Sequence, residues 1–300
     1  MAKLLDAFIK KVEAANYGVE AVVLMQHGEI LEEYRAIPDE PHVLHSLSKS
    51  FTSVAFGMLI DEGKASLSDK VISYFPEYLP EVICDELAAL TVRDLLVMAP
   101  GHGACMMMNQ RAAIEGDWVR YYLAQPFDKA PGTKFEYDTG CTYIVGAIIQ
   151  KITGQTVRDF LMPRLFTVLG IETPLWETCP SGRSVAGAGL WLRTEEIARF
   201  GQMLLNKGVY NGTRIVSEAY LKEASSKQIE NAVAGAGHDN CAGYGYQFWM
   251  NENGTYRGDG AYAQFCIVDE EKDAVIAINS QSNQAQEILD AVWEELRPLL

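Results

Sequence analysis

The chain has 300 residues, enough for one large domain or about two, and its 48% hydrophobic content supplies a packed core. A formal net charge of −15 at pH 7 argues against nucleic acid and anionic membrane surfaces as partners, since both require a basic patch. No stretch approaches the ~18 apolar residues of a membrane helix, and the opening Met1-Ala2-Lys3-Leu4-Leu5-Asp6 lacks the uninterrupted apolar core of a secretion signal, so a cytoplasmic location is expected.

In chain order, residues 3–16 carry Leu4, Leu5, Phe8, Ile9 and Val12 on one side of a predicted helix. Residues 21–25 and 30–34 read as strands joined by a His27-Gly28 turn. The next helix starts near Ser46 and ends at Asp61-Glu62-Gly63, where the glycine is a natural stop. Helices and loops prevail over 64–182. Short helices are predicted at 91–98 and 114–123, a strongly apolar one at 143–152 before Thr153-Gly154, and another at 157–165. Pro100-Gly101-His102-Gly103 and Pro131-Gly132 are breaks. Gly187-Ala188-Gly189-Leu190-Trp191-Leu192 leads into a helix from Thr194, with Glu195 and Glu196 in its favoured first turn; a further helix covers 217–225. Strands follow at 244–250, 262–268 and 274–278, with a hairpin signal at Asn253-Gly254, and a helix over 285–296 closes the chain. This layout predicts an α+β fold: an antiparallel sheet flanked by helices and built from both chain ends (1–63 and 183–300), with an all-helical domain at 64–182 inserted between them.

The six cysteines, Cys84, Cys105, Cys141, Cys179, Cys241 and Cys266, include no C-x-x-C and read as free thiols. The histidines do not group as ligands. Pro41 makes the segment of His42 and His45 extended, and no further Cys or His completes a site, so neither a metal nor another cofactor is expected.

One stretch carries chemistry: His45-Ser46-Leu47-Ser48-Lys49-Ser50-Phe51-Thr52. Residues three apart on a helix are neighbours, so Ser46 and Lys49 can touch. Leu47, Phe51, Val54, Ala55 and Met58 form an apolar stripe, and no charge occurs between Lys49 and Asp61, which predicts a buried helix. First turns favour acidic residues, yet this one holds a lysine where a capping box would place Glu or Gln. Burial and the helix dipole both lower an ammonium pKa, from ~10.4 toward ~7–8 in such a site. A neutral Lys49 could accept the Ser46 proton and activate an otherwise weak nucleophile. At this level a second reading stands beside the first. On the order of one S-x-x-K occurs by chance in a chain of this length, and Ser46 could be a helix cap with Lys49 snorkelling to the surface.

The order of further motifs resembles the serine β-lactamase and penicillin-binding superfamily, in its class C-like branch, which also holds carboxylesterases and D-amino-acid peptidases. The resemblance runs from about 20 to 280. Ser46-Leu47-Ser48-Lys49-Ser50-Phe51 resembles the nucleophile motif. Leu67-Ser68-Asp69 and Thr91-Val92-Arg93-Asp94-Leu95-Leu96 resemble the segments that follow it, and Phe135-Glu136-Tyr137-Asp138-Thr139-Gly140 resembles the second catalytic motif, Y-x-N. The resemblance implies that Ser46 is acylated, that Lys49 is its general base, and that Tyr137 passes a proton to the leaving group. It implies oxyanion donors at the backbone N–H groups of Ser46 and Ala261, the latter following the third motif at Gly258-Asp259-Gly260. Thr139, Asp259, Gly260 and His102 are expected at the substrate, a small ester or amide. Met106, Met107 and Met108 suit a pocket wall and suit a core equally well.

Two motifs depart from the family pattern. Thr139 stands where the second motif has Asn, and Gly258-Asp259 stands where the third motif carries Lys or His and often Thr, although Arg257 is adjacent. A cation there would hold a substrate carboxylate, whereas Asp259 would repel one. These departures leave acyl transfer in place and turn the expectation away from true β-lactamase or carboxypeptidase activity. They also motivate an alternative, a weak or inert binding or sensor module on the same fold. A competing nucleophile, Ser184 in Gly182-Arg183-Ser184-Val185-Ala186, lacks the final glycine of an elbow and reads as a loop.

Overall fold

The computed structural model describes residues 4–103, 114–232 and 236–300; Cys105, Met106, Met107 and Met108 lie outside them. In chain order these residues form helix α1 (Asp6–Ala14), strands β1 (Val19–Gln26), β2 (Glu29–Arg35) and β3 (His42–Val43), and helix α2 (Ser48–Asp61). Short helices α3 (Asp85–Ala89), α4 (Val92–Leu96) and α5 (Trp118–Leu123) precede helices α6 (Thr139–Thr153) and α7 (Val157–Leu161). Strands β4 (Leu175–Trp176) and β5 (Leu190–Leu192), helix α8 (Thr194–Leu205), a small hairpin β6 (Val209–Tyr210) and β7 (Thr213–Arg214), and helix α9 (Glu218–Ala224) follow. The chain ends with β8 (Trp249–Met250), β9 (Tyr256–Gly260), β10 (Gln264–Asp269), β11 (Ala274–Ser280) and helix α10 (Ala285–Ala291).

The main sheet has the order β2-β1-β11-β10-β9-β8 and pairs the two chain ends through antiparallel β1 and β11, as the layout predicts. Both faces of its centre are buried, so the inner strands are apolar on alternate sides. Phe265, Ile267, Ile276 and Ile278 pack with Phe8, Val12, Ile288 and Val292 of the two terminal helices. Cys266, Val268, Val275 and Ala277 face the other way, into a larger core that continues through Phe51, Phe200, Leu95, Ile144 and Phe160. That single core joins the sheet to the helices of residues 64–182, with α2 in its middle.

Several boundaries differ from the sequence reading. Helix α6 starts at Thr139, before the apolar run, because Asp138 caps it by accepting from Gly140 N at 2.8 Å; Gly154 ends it in the left-handed region at φ 71°. Helix α5 starts only at Trp118, where Asp117 caps it, so residues 114–117 are not helical. The strand expected at 244–250 shrinks to β8, because Gln247 has φ 67°, a left-handed conformation that breaks a ladder. Strand β10 starts at Gln264, two residues late, because Tyr262 and Ala263 take φ of 63° and 61°. The three-stranded sheet β3-β5-β4 has strands too short to announce themselves by alternation.

Candidate active site

Helix α2 begins in a tight turn. His45 has φ 46°, residues His45–Leu47 make one 3-10 turn, and the α-helix follows at Ser48. Strand β5 clamps this turn from one residue: Leu190 O accepts from Leu44 N at 2.8 Å, and Leu190 N donates to Ser48 Oγ at 3.1 Å. Ser48 Oγ in turn donates to His45 O at 2.7 Å. Every residue from 48 to 59 is buried, and the serines and threonine among them are satisfied inside: Ser50 Oγ donates to Gln247 O, Thr52 Oγ1 to Ala186 O and Ser53 Oγ to Tyr246 O.

Lys49 is 1% exposed on this helix. Its Nζ donates to Ser46 Oγ at 2.9 Å, to Gly187 O at 2.7 Å and to Thr139 Oγ1 at 3.2 Å, and it lies 5.0 Å from the centroid of the Tyr137 ring. Neither the cap reading nor the snorkelling reading survives. The α2 N-terminus has no side-chain cap, and the amine points inward. An ammonium has three protons and here three oxygens receive them. A neutral amine keeps two protons and a lone pair. The Gly187 carbonyl can only accept, so it retains one proton. The Ser46 hydroxyl can donate, so the lone pair can turn to it.

The partners reach Lys49 from distant segments. Thr139 stands at the first turn of α6, and Tyr137 immediately precedes the cap, Asp138. Gly187 comes in against α6 so closely that a Cβ on it would meet Thr139 Cγ2 at 2.7 Å. Tyr137 is half-buried, its ring 5.5 Å from Trp249 and 6.3 Å from Tyr244, edge to face with the latter. Strand β9 lies directly on the serine turn. A Cβ on Gly258 would sit 2.2 Å from Leu47 Cδ1, and one on Gly260 would sit 2.2 Å from the Leu44 carbonyl oxygen. Ala261 follows in the exposed turn after β9, beside Tyr262, whose ring packs 5.2 Å from His45.

Arg257 and Asp259 take unequal positions on β9. The guanidinium is fully buried and gives Nε to Asp259 Oδ2 at 2.8 Å, Nη1 to Asn251 Oδ1 and Asp239 O, and Nη2 to Asn240 Oδ1. The Asp259 side chain keeps 20% of its surface. Burial raises its pKa, opposed by Arg257 and by the charge of Lys49.

Of the residues singled out in the sequence, the fold gathers Ser46, Lys49, Tyr137 and Thr139, and lays Gly260 with its neighbours Asp259 and Ala261 beside them. His102 is closed off from solvent among aromatic rings. It is 1% exposed, 4.8 Å from the Tyr122 ring and 4.5 Å from Phe127, and burial pushes its pKa down to about 4. Ser184 is buried in a loop, its Oγ accepting from Arg158 N at 3.4 Å. Among the described residues the cysteines form no disulfide. Sequence reasoning missed the Gly187 carbonyl as a ligand of the lysine. Trp249, which the sequence leaves open between pocket wall and core, stands beside Tyr137; Tyr244 next to it was missed, because the aromatic density of 244–249 reads as a strand.

A family model described as Beta-lactamase matches residues 5–297. The 6-aminohexanoate-dimer hydrolase of Paenarthrobacter ureafaciens is 26% identical over 280 residues, covering 86% of this chain and 71% of its own length. Among solved structures, the D-amino acid amidase of Ochrobactrum anthropi SV3 superposes with a TM-score of 0.76 at 19% identity, over 99% of this chain and 99% of its own. A family VIII carboxylesterase does so with a TM-score of 0.73 at 17% identity, over 97% and 96%. At these identities the structural matches establish the fold.

Proposed function

The chain belongs to the β-lactamase family, and from that premise we propose that this serine hydrolase cleaves a small ester or amide through an acyl-enzyme on Ser46. One observation carries the reading: a buried amine lies 2.9 Å from Ser46 Oγ, oriented by the Gly187 carbonyl and Thr139. Lys49, neutral, takes the hydroxyl proton as Ser46 Oγ attacks the carbonyl carbon. Backbone N–H groups of Ser46 and Ala261 receive the developing oxyanion, a contribution typically worth ~3–4 kcal/mol per donor. Tyr137, held against the amine, delivers its proton to the leaving group as the tetrahedral adduct collapses and takes a replacement from the Lys49 ammonium, which returns to the neutral amine. Water then repeats the sequence on the acyl-serine.

The relatives, a 6-aminohexanoate-dimer hydrolase, a D-amino acid amidase and a carboxylesterase, support linear amides and esters as the substrate class. The third motif supports the same choice. It offers Asp259 where a carboxylate-bearing substrate needs a cation, and the Arg257 guanidinium has no exposed surface. Incubation with a fluorophosphonate followed by intact-mass measurement tests the reading. One adduct is expected on the wild type and none on Ser46→Ala. Absence of an adduct on the wild type would leave the inert-module alternative, and an adduct on Ser46→Ala would move the nucleophile elsewhere.

A further inference from the structure

We infer that the site selects substrates bearing a cationic amine, received by Asp259 beside the aromatic wall of Trp249, Tyr137 and Tyr244. The inference rests on the hydrolase reading and names the substrate class for it. Its basis is the orientation of the Arg257–Asp259 pair. Seen from a distance the pair is neutral. Seen from the cleft it is not, because its two ends differ in access.

The guanidinium is 0% exposed and all of its bonded nitrogens point to interior acceptors: Asp259 Oδ2, Asn251 Oδ1, Asp239 O and Asn240 Oδ1. Asp259 uses only Oδ2 for this contact. Its other oxygen has no hydrogen-bond partner among the described residues and is not sealed away, since the side chain is 20% exposed. The negative end of the dipole therefore faces outward. Its location is fixed by β9, whose Gly258 and Gly260, on either side of Asp259, touch the turn that carries Ser46.

The surroundings suit an ammonium. Trp249 stands 5.5 Å from Tyr137 and lies under the Arg257 guanidinium at 5.7 Å, and Tyr244 is 5.0 Å from Trp249 and interacts electrostatically with both Tyr137 and Asp259. Tyr137 and Trp249 are only partly buried. Aromatic faces attract cations, and a carboxylate oxygen with a vacant lone pair accepts N⁺–H. Past Tyr137 lies a cavity of about 490 Å³ lined by Lys134, Glu136 and Glu230, whose glutamates pair with Lys129 and Lys227, so Asp259 is the carboxylate left for a ligand. A substrate carboxylate in this position would meet Asp259 directly, with the arginine out of reach.

The test has one arm in binding and one in turnover. Calorimetric titration of the wild type compares a primary alkylammonium with the alcohol of equal length, and the ammonium is expected to bind at least about tenfold more tightly. In turnover, ω-aminoacyl aryl esters and anilides are compared with alkanoyl compounds in which methyl replaces ammonium. The amino compound is expected to show about tenfold higher kcat/KM, expressed mainly in KM, with that ratio collapsing toward one in Asp259→Asn. Because Asp259→Asn removes the counter-charge of a buried guanidinium, the wild-type titration stands independently of whether the variant folds. Equal binding of ammonium and alcohol by the wild type overturns the inference, and so does a preference that persists in folded Asp259→Asn. Fluorophosphonate labelling of Ser46 decides the hydrolase reading separately, so the two can fail apart.

Discussion

The carbonyl oxygen of Gly187 accepts a hydrogen bond from Lys49 Nζ at 2.7 Å, across 138 positions of sequence. This contact orients the amine. With one proton committed to a carbonyl that can only accept, the remaining directions are shared by Thr139 and Ser46, both of which carry hydroxyls. The glycine makes the approach possible, because a side chain there would collide with the first turn of α6.

Replacing Lys49 by Met keeps the apolar stem and removes the amine. Loss of general-base catalysis is expected to lower kcat by about a hundredfold to ten-thousandfold. The fold should persist: the Gly187 carbonyl loses a donor, at a cost of about 1–3 kcal/mol, while a buried amine no longer needs solvating. Steady-state kinetics on an aryl ester, alongside thermal unfolding followed by circular dichroism, checks both halves. Wild-type-like turnover would remove Lys49 from the chemistry.

Gly260→Ala should disable the site through the backbone. The added Cβ would lie 2.2 Å from the Leu44 carbonyl oxygen, a main-chain atom held by the serine turn. Strand β9 must move off that turn, carrying Ala261 with it. A stability loss of about 1–3 kcal/mol is expected, with at least a tenfold fall in kcat. Ile267→Val on β10, which should cost about 0.5–1.5 kcal/mol, serves as the comparison and is expected to keep its turnover. Urea unfolding and kinetics on both variants separate displacement of the donor from simple destabilisation.

His102 predicts a pH dependence of stability. Neither ring nitrogen has a hydrogen-bond partner among the described residues, and burial holds the pKa at about 4, with Asp128 opposing only in part. The unfolded chain binds this proton near pH ~6.5. Between the two values the unfolded state carries more protons, so stability rises with pH there. The native state is therefore unpenalised above ~6.5 and loses about 3 kcal/mol on acidification to ~4, from this group alone. Urea unfolding of the wild type and His102→Phe across that range should show the slope reduced in the variant. An unchanged slope would mean that the ring is not shielded as described.

The chemistry-bearing helix was legible because its signals are local. Serine and lysine at positions 46 and 49, the charge-free run to Asp61, and the apolar stripe are all properties of one short segment. The two-ended sheet was legible for a related reason: buried inner strands such as β1 and β11 are dense in branched apolar residues, and helix α6 announced itself by its apolar run and Gly154. The errors lie where a backbone conformation rather than a side-chain pattern decides. Left-handed Gln247, Tyr262 and Ala263 cut strands short, and the Asp138 cap extends a helix beyond its apolar residues.

What the sequence determined by itself, then, is which groups exist and roughly which element carries each: hydroxyl, amine, phenol, and an acidic residue in place of a basic one. The tertiary structure alone decided their company. A main-chain carbonyl at Gly187 became the lysine's anchor, Arg257 turned its charge inward and left Asp259 facing out, and His102 was closed behind Tyr122 and Phe127. Carbonyls are common to every residue, and burial depends on segments far apart in the chain. No local pattern can therefore say which carbonyl meets the amine or which end of an ion pair reaches water.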